Sequence, residues 1–300
     1  MRLTLGPLQY FWPRRQVLDF YAASLDWPLD VIYLGETVCS KRRELRTRDW
    51  IALAQEQARA GREVVLSSLA LIEAESELGA LQHLAAQETF RIEANDISAV
   101  QICRRHGLPF VGGPGLNVYN LDTLHLLQDD GLYRLVLNVE MSRELVAELR
   151  EAAAAANHAL PELELIAWGR LPLAWSARCF TARALDLAKD HCGFRCIEHP
   201  DGLPLQTRDG QAFLTLNGIQ VQSAERCDLL PEWPQLAAAG MDLLRLYPQQ
   251  HGTAEALQRF RAVRDGAPPP ARETGSSPGY WHGRPAALHH LDTSTRGAQP

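Results

Sequence analysis

The chain has no apolar run near the roughly 20 residues that a membrane span requires. Its opening stretch, MRLTLGPLQYFWPRRQ, lacks the apolar core of a secretory signal. Both absences point to a cytoplasmic protein with no membrane span, in a reducing compartment where disulfides are rare. Positive charge is also short. Lys and Arg number 30 against 36 Asp and Glu, a formal charge of −6, which argues against a general nucleic-acid binder. Several catalytic patterns are missing as well. There is no P-loop, no G-x-G-x-x-G, no G-x-S-x-G, no H-E-x-x-H and no convincing Ser/His/Asp set. The C-x3-C-x2-C pattern of radical-generating iron–sulfur barrels fails because position 199 is His.

What remains is a chain of 300 residues, 46% hydrophobic, that alternates short apolar runs with helical patterns. Strands are expected at 2–8, 30–36, 63–68, 90–96, 109–119, 134–140, 162–168 and 241–248. Between them, segments such as TRDWIALAQEQARAG and SRELVAELREAAAAANH repeat apolar residues at three and four, and Gly61 suits the end of the first. Strands alternating with helices imply parallel pairing. Eight such units predict an α/β fold, a (β/α)8 TIM-like barrel with a cysteine-bearing insertion between strands 7 and 8. An open doubly wound sheet is the alternative. Residues 1–265 read as a single barrel domain including the insertion at 170–240, where Asp209-Gly210 signals a hairpin. Residues 266–300, rich in Pro, Gly and Ser, read as a largely flexible C-terminal tail, within which Tyr280-Trp281 is the pair suited to dock on the body.

Six cysteines are present. Cys39 stands alone, while Cys179, Cys192 and Cys196 follow in a C-x12-C-x3-C pattern. Four thiolates satisfy a [4Fe–4S] cluster or a tetrahedral zinc. Zinc ribbons usually carry two close pairs, so the scattered spacing suits a cluster assembled within a finished fold. On the barrel reading, Cys39 follows strand 2 and the other three follow strand 7, so all four could meet at the C-terminal face, where barrel chemistry sits. His191 and His199 flank the close pair as alternative ligands. Cys103 lies on an apolar helix face and reads as a buried structural thiol. Cys227 stays open as a replacement for one of the four. The basic run CSKRRELRTR reads as a solvated face or as support for a bound anion or cluster. Glu36, Glu93, Asp96, Asn117 and Glu140 fall at or beyond strand ends, as site lining or as loop caps. GGPG at 112–115 could approach a phosphate.

DVIYLGETVCSKRRELRTRDW, LPLAWSARCFTAR and FLTLNGIQ together resemble the UbiV family, an iron–sulfur branch of the collagenase-like peptidase superfamily. The resemblance runs from LGPLQYFWP to the GYW near the C-terminus. Typical superfamily members have a cysteine where this chain has Pro172, and the resemblance implies that Cys39 supplies the missing ligand. It further implies a [4Fe–4S] cluster on Cys39, Cys179, Cys192 and Cys196, and a heterodimer with a related UbiU subunit. A lipid-binding accessory protein and a quinone-precursor substrate are implied too, in oxygen-independent ring hydroxylation during anaerobic ubiquinone biosynthesis. On this resemblance the chain is a hydroxylase subunit and not a peptidase. An RNA-modifying barrel of the same superfamily and a zinc-stabilised non-catalytic protein are the alternatives.

Overall fold

The protein is described here by a computed structural model covering residues 1–284. Twelve strands form one sheet among these residues. They are β1 Arg2–Leu5, β2 Val31–Leu34, β3 Glu63–Ser67, β4 Arg91–Ala94, β5 Phe110–Gly112, β6 Leu132–Val136, β7 Glu162–Trp175, β8 Leu203–Gln206, β9 Ala212–Asn217, β10 Gln220–Asp228, β11 Leu243–Leu246 and β12 Ser276–Ser277. The helices are α1 Arg14–Ser24, α2 Thr47–Arg59, α3 Glu75–Ala85, α4 Ile97–Arg105, α5 Leu121–Asp129, α6 Arg143–Ala155, α7 Phe180–Ala184, α8 Trp233–Ala238 and α9 Thr253–Arg264.

Strands β1 to β7 pair in sequence order, all parallel. β11 then pairs in parallel with both β7 and β1, with Leu243 opposite Glu164 on one side and Arg2 on the other. The sheet therefore closes on itself as an eight-stranded parallel barrel ringed by helices, and the open-sheet alternative is excluded. All eight expected strands exist, seven of them shorter than expected and the seventh longer. The fifth is three residues long because Pro114 cannot donate to a ladder and a 3-10 turn forms at Pro114–Leu116. The seventh runs on to Trp175, bending at Gly169 (φ +108°), and carries the antiparallel strands β10, β9 and β8 outward from the barrel. The hairpin at Asp209-Gly210 joins β8 to β9, with the Thr207 N–H donating to the Gln211 carbonyl at 2.9 Å.

Local chemistry sets the helix ends. Asp96 accepts from the Ser98 N–H (2.8 Å) and Asn120 from the Thr123 N–H (2.9 Å), and Ser142 accepts from the Leu145 N–H, which satisfies amides that helix starts leave unpaired. α2 ends just before Gly61, which takes φ +86°.

Of the expected tail, residues 285–300 lie outside the described residues. Within 266–284, β12 pairs with β10, Trp281 is 2% exposed, and the Arg143 N–H donates to the Trp281 carbonyl at 3.0 Å. The aromatic pair thus anchors this segment across α6.

The barrel interior is polar. Alternate strand residues face inward, and here several of those residues are charged. Arg245 on β11 donates to Glu164 on β7 (Nε–Oε1 2.7 Å) and to Glu93 on β4 (Nη1–Oε1 2.6 Å), with all three side chains at 0% exposure. Ser67 and Thr4 donate to the two carboxylates, and the Tyr33 hydroxyl donates to Glu164 at 2.5 Å. The Arg245 guanidinium also lies over the Tyr33 ring, 4.0 Å from its centroid. Arg134 continues the column, donating to Tyr33, Glu162 and Glu63, where Arg2 also binds. Burial alone would raise the Glu164 carboxyl, but the Arg245 and Arg134 charges more than offset it and hold it below the usual range.

Removing one member of such a buried pair leaves the other charge uncompensated. Arg245→Leu should lower stability by about 3–5 kcal/mol, seen as a lower urea midpoint. Glu164, with its folded pKa depressed, contributes stability above its unfolded value and loses it as pH falls through the folded one. The midpoint of the natural chain should therefore drop at acid pH, and the Glu164→Gln protein should show a shallower drop. Equal acid slopes would remove Glu164 from the account.

Candidate functional site

Cys39 sits in the loop after β2. The turn into that loop requires glycine: Gly35 has φ +144°, and a Cβ there would lie 2.5 Å from the Ser67 carbonyl oxygen. Glu36 follows, and its Oε1 accepts the N–H groups of Val38 (2.9 Å) and Cys39 (3.0 Å), which fixes the cysteine's backbone. Of the two readings of Glu36, site lining or loop cap, these bonds make it a loop cap beside the thiol.

The other three thiols come from the segment between β7 and β8. Cys179 precedes α7, and its sulfur accepts from the Ala182 N–H at 3.4 Å. Cys192 closes a 3-10 turn at Lys189–His191, and Cys196 lies in another at Arg195–Glu198. This segment is pinned from the N-terminal loop: Trp12 Nε1 donates to the Pro200 carbonyl at 2.6 Å, and the Phe11 and Phe194 rings pack at 6.3 Å.

Two cations bind the segments together. Lys41 Nζ reaches Asp190 at 2.6 Å and the Lys189 carbonyl at 3.3 Å, joining the Cys39 loop to the turn before Cys192. Arg42, with a side chain 1% exposed, donates to the Gln9 carbonyl (2.7 Å) and to Asn217 Oδ1 (2.8 Å), and lies 3.8 Å from Glu36. It also hydrogen-bonds the Cys196 sulfur. The β9–β10 turn is shaped around it. Gly218, at φ +64°, offers its carbonyl to the Phe180 N–H at 2.7 Å, and a Cβ there would lie 2.9 Å from Arg42 Nη2.

The four thiols share this neighbourhood. Cys39 and Cys196 each interact electrostatically with Cys179 and with Arg42, and Lys41 feels both Cys39 and Cys192. Burial pushes the Cys39 thiol up, opposed by the Lys41 N–H and Arg42; burial also raises Cys196, opposed by Arg42. All four are half-buried, whereas Cys103 and Cys227 are 0% and 2% exposed. Burial lifts Cys103 to about 12, and Cys227 higher still, beside Asp228, Glu232 and Arg272. Among the described residues no group of three or more His, Cys, Asp or Glu is placed to hold a metal ion. The donor set nevertheless fits a thiolate-bound centre in its chemistry: four neighbouring thiols, partly accessible, next to two cations that would balance thiolate charge. Gripping a metal would require the thiols to draw inward.

The remaining expected residues have other partners. Glu93 belongs to the barrel column, Asp96 caps α4, and Glu140 accepts from the Tyr119 hydroxyl at 2.8 Å. Asn117, left-handed at φ 53°, accepts from Asn138 at 3.3 Å. In GGPG, a Cβ on Gly113 would lie 2.0 Å from Asn95 Oδ1, so that glycine serves packing against β4. His191 is exposed and His199 half-buried beside the close cysteine pair. Sequence reasoning missed Arg42 as the hub; the basic run was its only signal. No helix among the described residues is long and apolar enough to cross a membrane.

Accessibility separates the thiols. In the natural chain, free of metal and under nitrogen, maleimide should label Cys39, Cys179, Cys192 and Cys196 well before Cys103 and Cys227, as read by peptide mass spectrometry. Early labelling of Cys227 would contradict its burial.

Residues 18–267 match the model of peptidase family U32. Among solved structures, DHPS from Yersinia pestis with a pterine–sulfa conjugate is similar at 14% identity and TM-score 0.45, over 89% of this chain and 94% of that one. Tryptophan synthase from M. tuberculosis is similar at 11% identity and TM-score 0.43, over 88% and 86%. Dihydropteroate synthase from Thermus thermophilus is similar at 14% identity and TM-score 0.41, over 88% and 94%. At these scores none bears on this chain's chemistry.

Proposed function

Given that this chain belongs to peptidase family U32, we propose that it holds a [4Fe–4S] cluster on Cys39, Cys179, Cys192 and Cys196. In this reading it is the cluster-bearing subunit of an oxygen-independent ring hydroxylase in anaerobic ubiquinone biosynthesis, and not a peptide hydrolase. Its partners are a related UbiU-type subunit, a lipid-binding accessory protein and a quinone-precursor substrate. The cluster assignment is supported by thiols from two distant segments that interact electrostatically with the same two cations, Arg42 and Lys41. The pathway and the partners rest on the sequence resemblance to the UbiV family.

When bound, such a cluster supplies single-electron transfer. The chain's own residues do the rest. Glu36 fixes the Cys39 backbone, Lys41 ties its loop to the Cys192 turn, and Arg42 donates to the Cys196 sulfur. Hydrogen bonds and positive charge at ligand sulfurs favour the thiolate and tune a cluster's potential.

Iron and acid-labile sulfide, measured after anaerobic purification, test the cofactor and separate a cluster from zinc. Alanine at any of the four cysteines should strip or degrade the cluster, whereas Cys103→Ala and Cys227→Ala should keep full iron. Iron lost from Cys227→Ala but kept in Cys39→Ala would overturn the ligand set. The pathway has its own test. A strain lacking the protein should make ubiquinone in air and lose it without oxygen, and a Cys179→Ala strain should do the same. Normal anaerobic ubiquinone in the deletion strain would sink the assignment.

A further inference from the structure

A cleft of about 480 Å³ opens at the ends of β2 and β3, between α2 and α3. That volume is in the range of small-molecule sites. One wall is apolar: Leu34, Leu66 and Leu81 lie deep, while Trp50, Ile72 and Leu84 are half-buried along it. The basic run adds Arg42, Arg43 and Arg46 to the lining.

The charges across this cleft are unevenly spent. Its two carboxylates are engaged. Glu36 caps the Cys39 loop, and Glu77 accepts the N–H groups of Glu73 and Ala74 and a hydrogen bond from Ser40. Two arginines are not. Among the described residues Arg43 makes one long contact, to the Ser40 carbonyl at 3.5 Å, and neither it nor Arg46 has a carboxylate partner, although the chain as a whole is acidic. In the same run, the Arg42 Nε is buried without a hydrogen-bond partner. A buried donor left unpaired is costly, and this one belongs to a residue that lines the cleft. A lining that joins apolar side chains to guanidinium groups without carboxylate partners is complementary to an amphipathic anion, because arginine binds carboxylate through two parallel N–H bonds.

We propose that this cleft binds a small amphipathic carboxylate, its apolar body on the Trp50–Ile72–Leu84 wall and its head on Arg43 and Arg46. None of the four cysteines lines it, although Glu36 and Arg42 border both places.

Titration calorimetry on the full chain, purified without oxygen, tests this with decanoate, 2-naphthoate, decan-1-ol and acetate. At least one of the two amphipathic acids should bind, and more tightly than decan-1-ol or acetate. Preference between them distinguishes an alkyl from an aromatic body. The Arg43→Gln/Arg46→Gln protein, altered only at exposed rim positions, should bind the preferred acid at least roughly tenfold more weakly. Ile72→Glu, with unchanged circular dichroism, should lose binding through like-charge repulsion. The proposal falls if neither acid binds the natural chain, if acid and alcohol bind alike, or if the double variant binds as the natural chain does. Iron content plays no part in the readout, so failure here and failure of the cluster assignment are distinguishable.

Discussion

The barrel closes around Arg245. Its guanidinium bridges Glu164 on the neighbouring β7 and Glu93 on β4 across the ring, at 2.7 and 2.6 Å, with no exposure to solvent. A charge so placed is tolerable only when its partners are ideally set. β11 must therefore sit between β7 and β1 in one register, because a slip of one residue would turn Arg245 outward and an apolar side chain inward. Closure in turn brings the loops after β1, β2 and β7 to one end of the barrel. The unpartnered Nη2 of Arg245 shows that even this network is not fully satisfied.

A second guanidinium organises that end. Arg42 is almost as buried as Arg245, but its partners are loops: the Gln9 carbonyl, Asn217, Glu36 and the Cys196 sulfur. These come from the β1 loop, the β9–β10 turn, the β2 loop and the cysteine segment. Arginine suits this role, since it offers five donors in a fixed fork and stays charged when buried. Lys41 next to it makes the exposed counterpart of the same tie. Adjacent residues of one basic run thus serve three ends: Arg42 joins the loops, Lys41 clamps the thiol segments, and Arg43 with Arg46 faces the neighbouring cleft.

The extended β7 adds the other half of the arrangement. By running on past the barrel it carries β10 and β9, whose turn at Gly218 packs on Arg42 and on the start of α7. The cysteine segment is therefore held between a sheet extension and the N-terminal loop.

The sequence by itself determined the order of strands and helices and singled out the four cysteines, while closure into a barrel rather than an open sheet was decided by the pairing of β11 with β1 and β7. Short apolar runs alternating with amphipathic helices carry the period of parallel β/α units, which a closed barrel and an open sheet share. Gly61 and the Asp209-Gly210 turn were legible for the same local reason. Tertiary structure alone decided the rest. Glu93, Glu164 and Arg245 lie far apart in sequence, so nothing local told that they neutralise one another inside the barrel. Glu36 and Arg42 read as one strand-end acid and one member of a basic run. Their roles exist only because closure brings Gln9, Asn217 and Cys196 to them, and long-range hydrogen bonds leave no periodic trace in a chain.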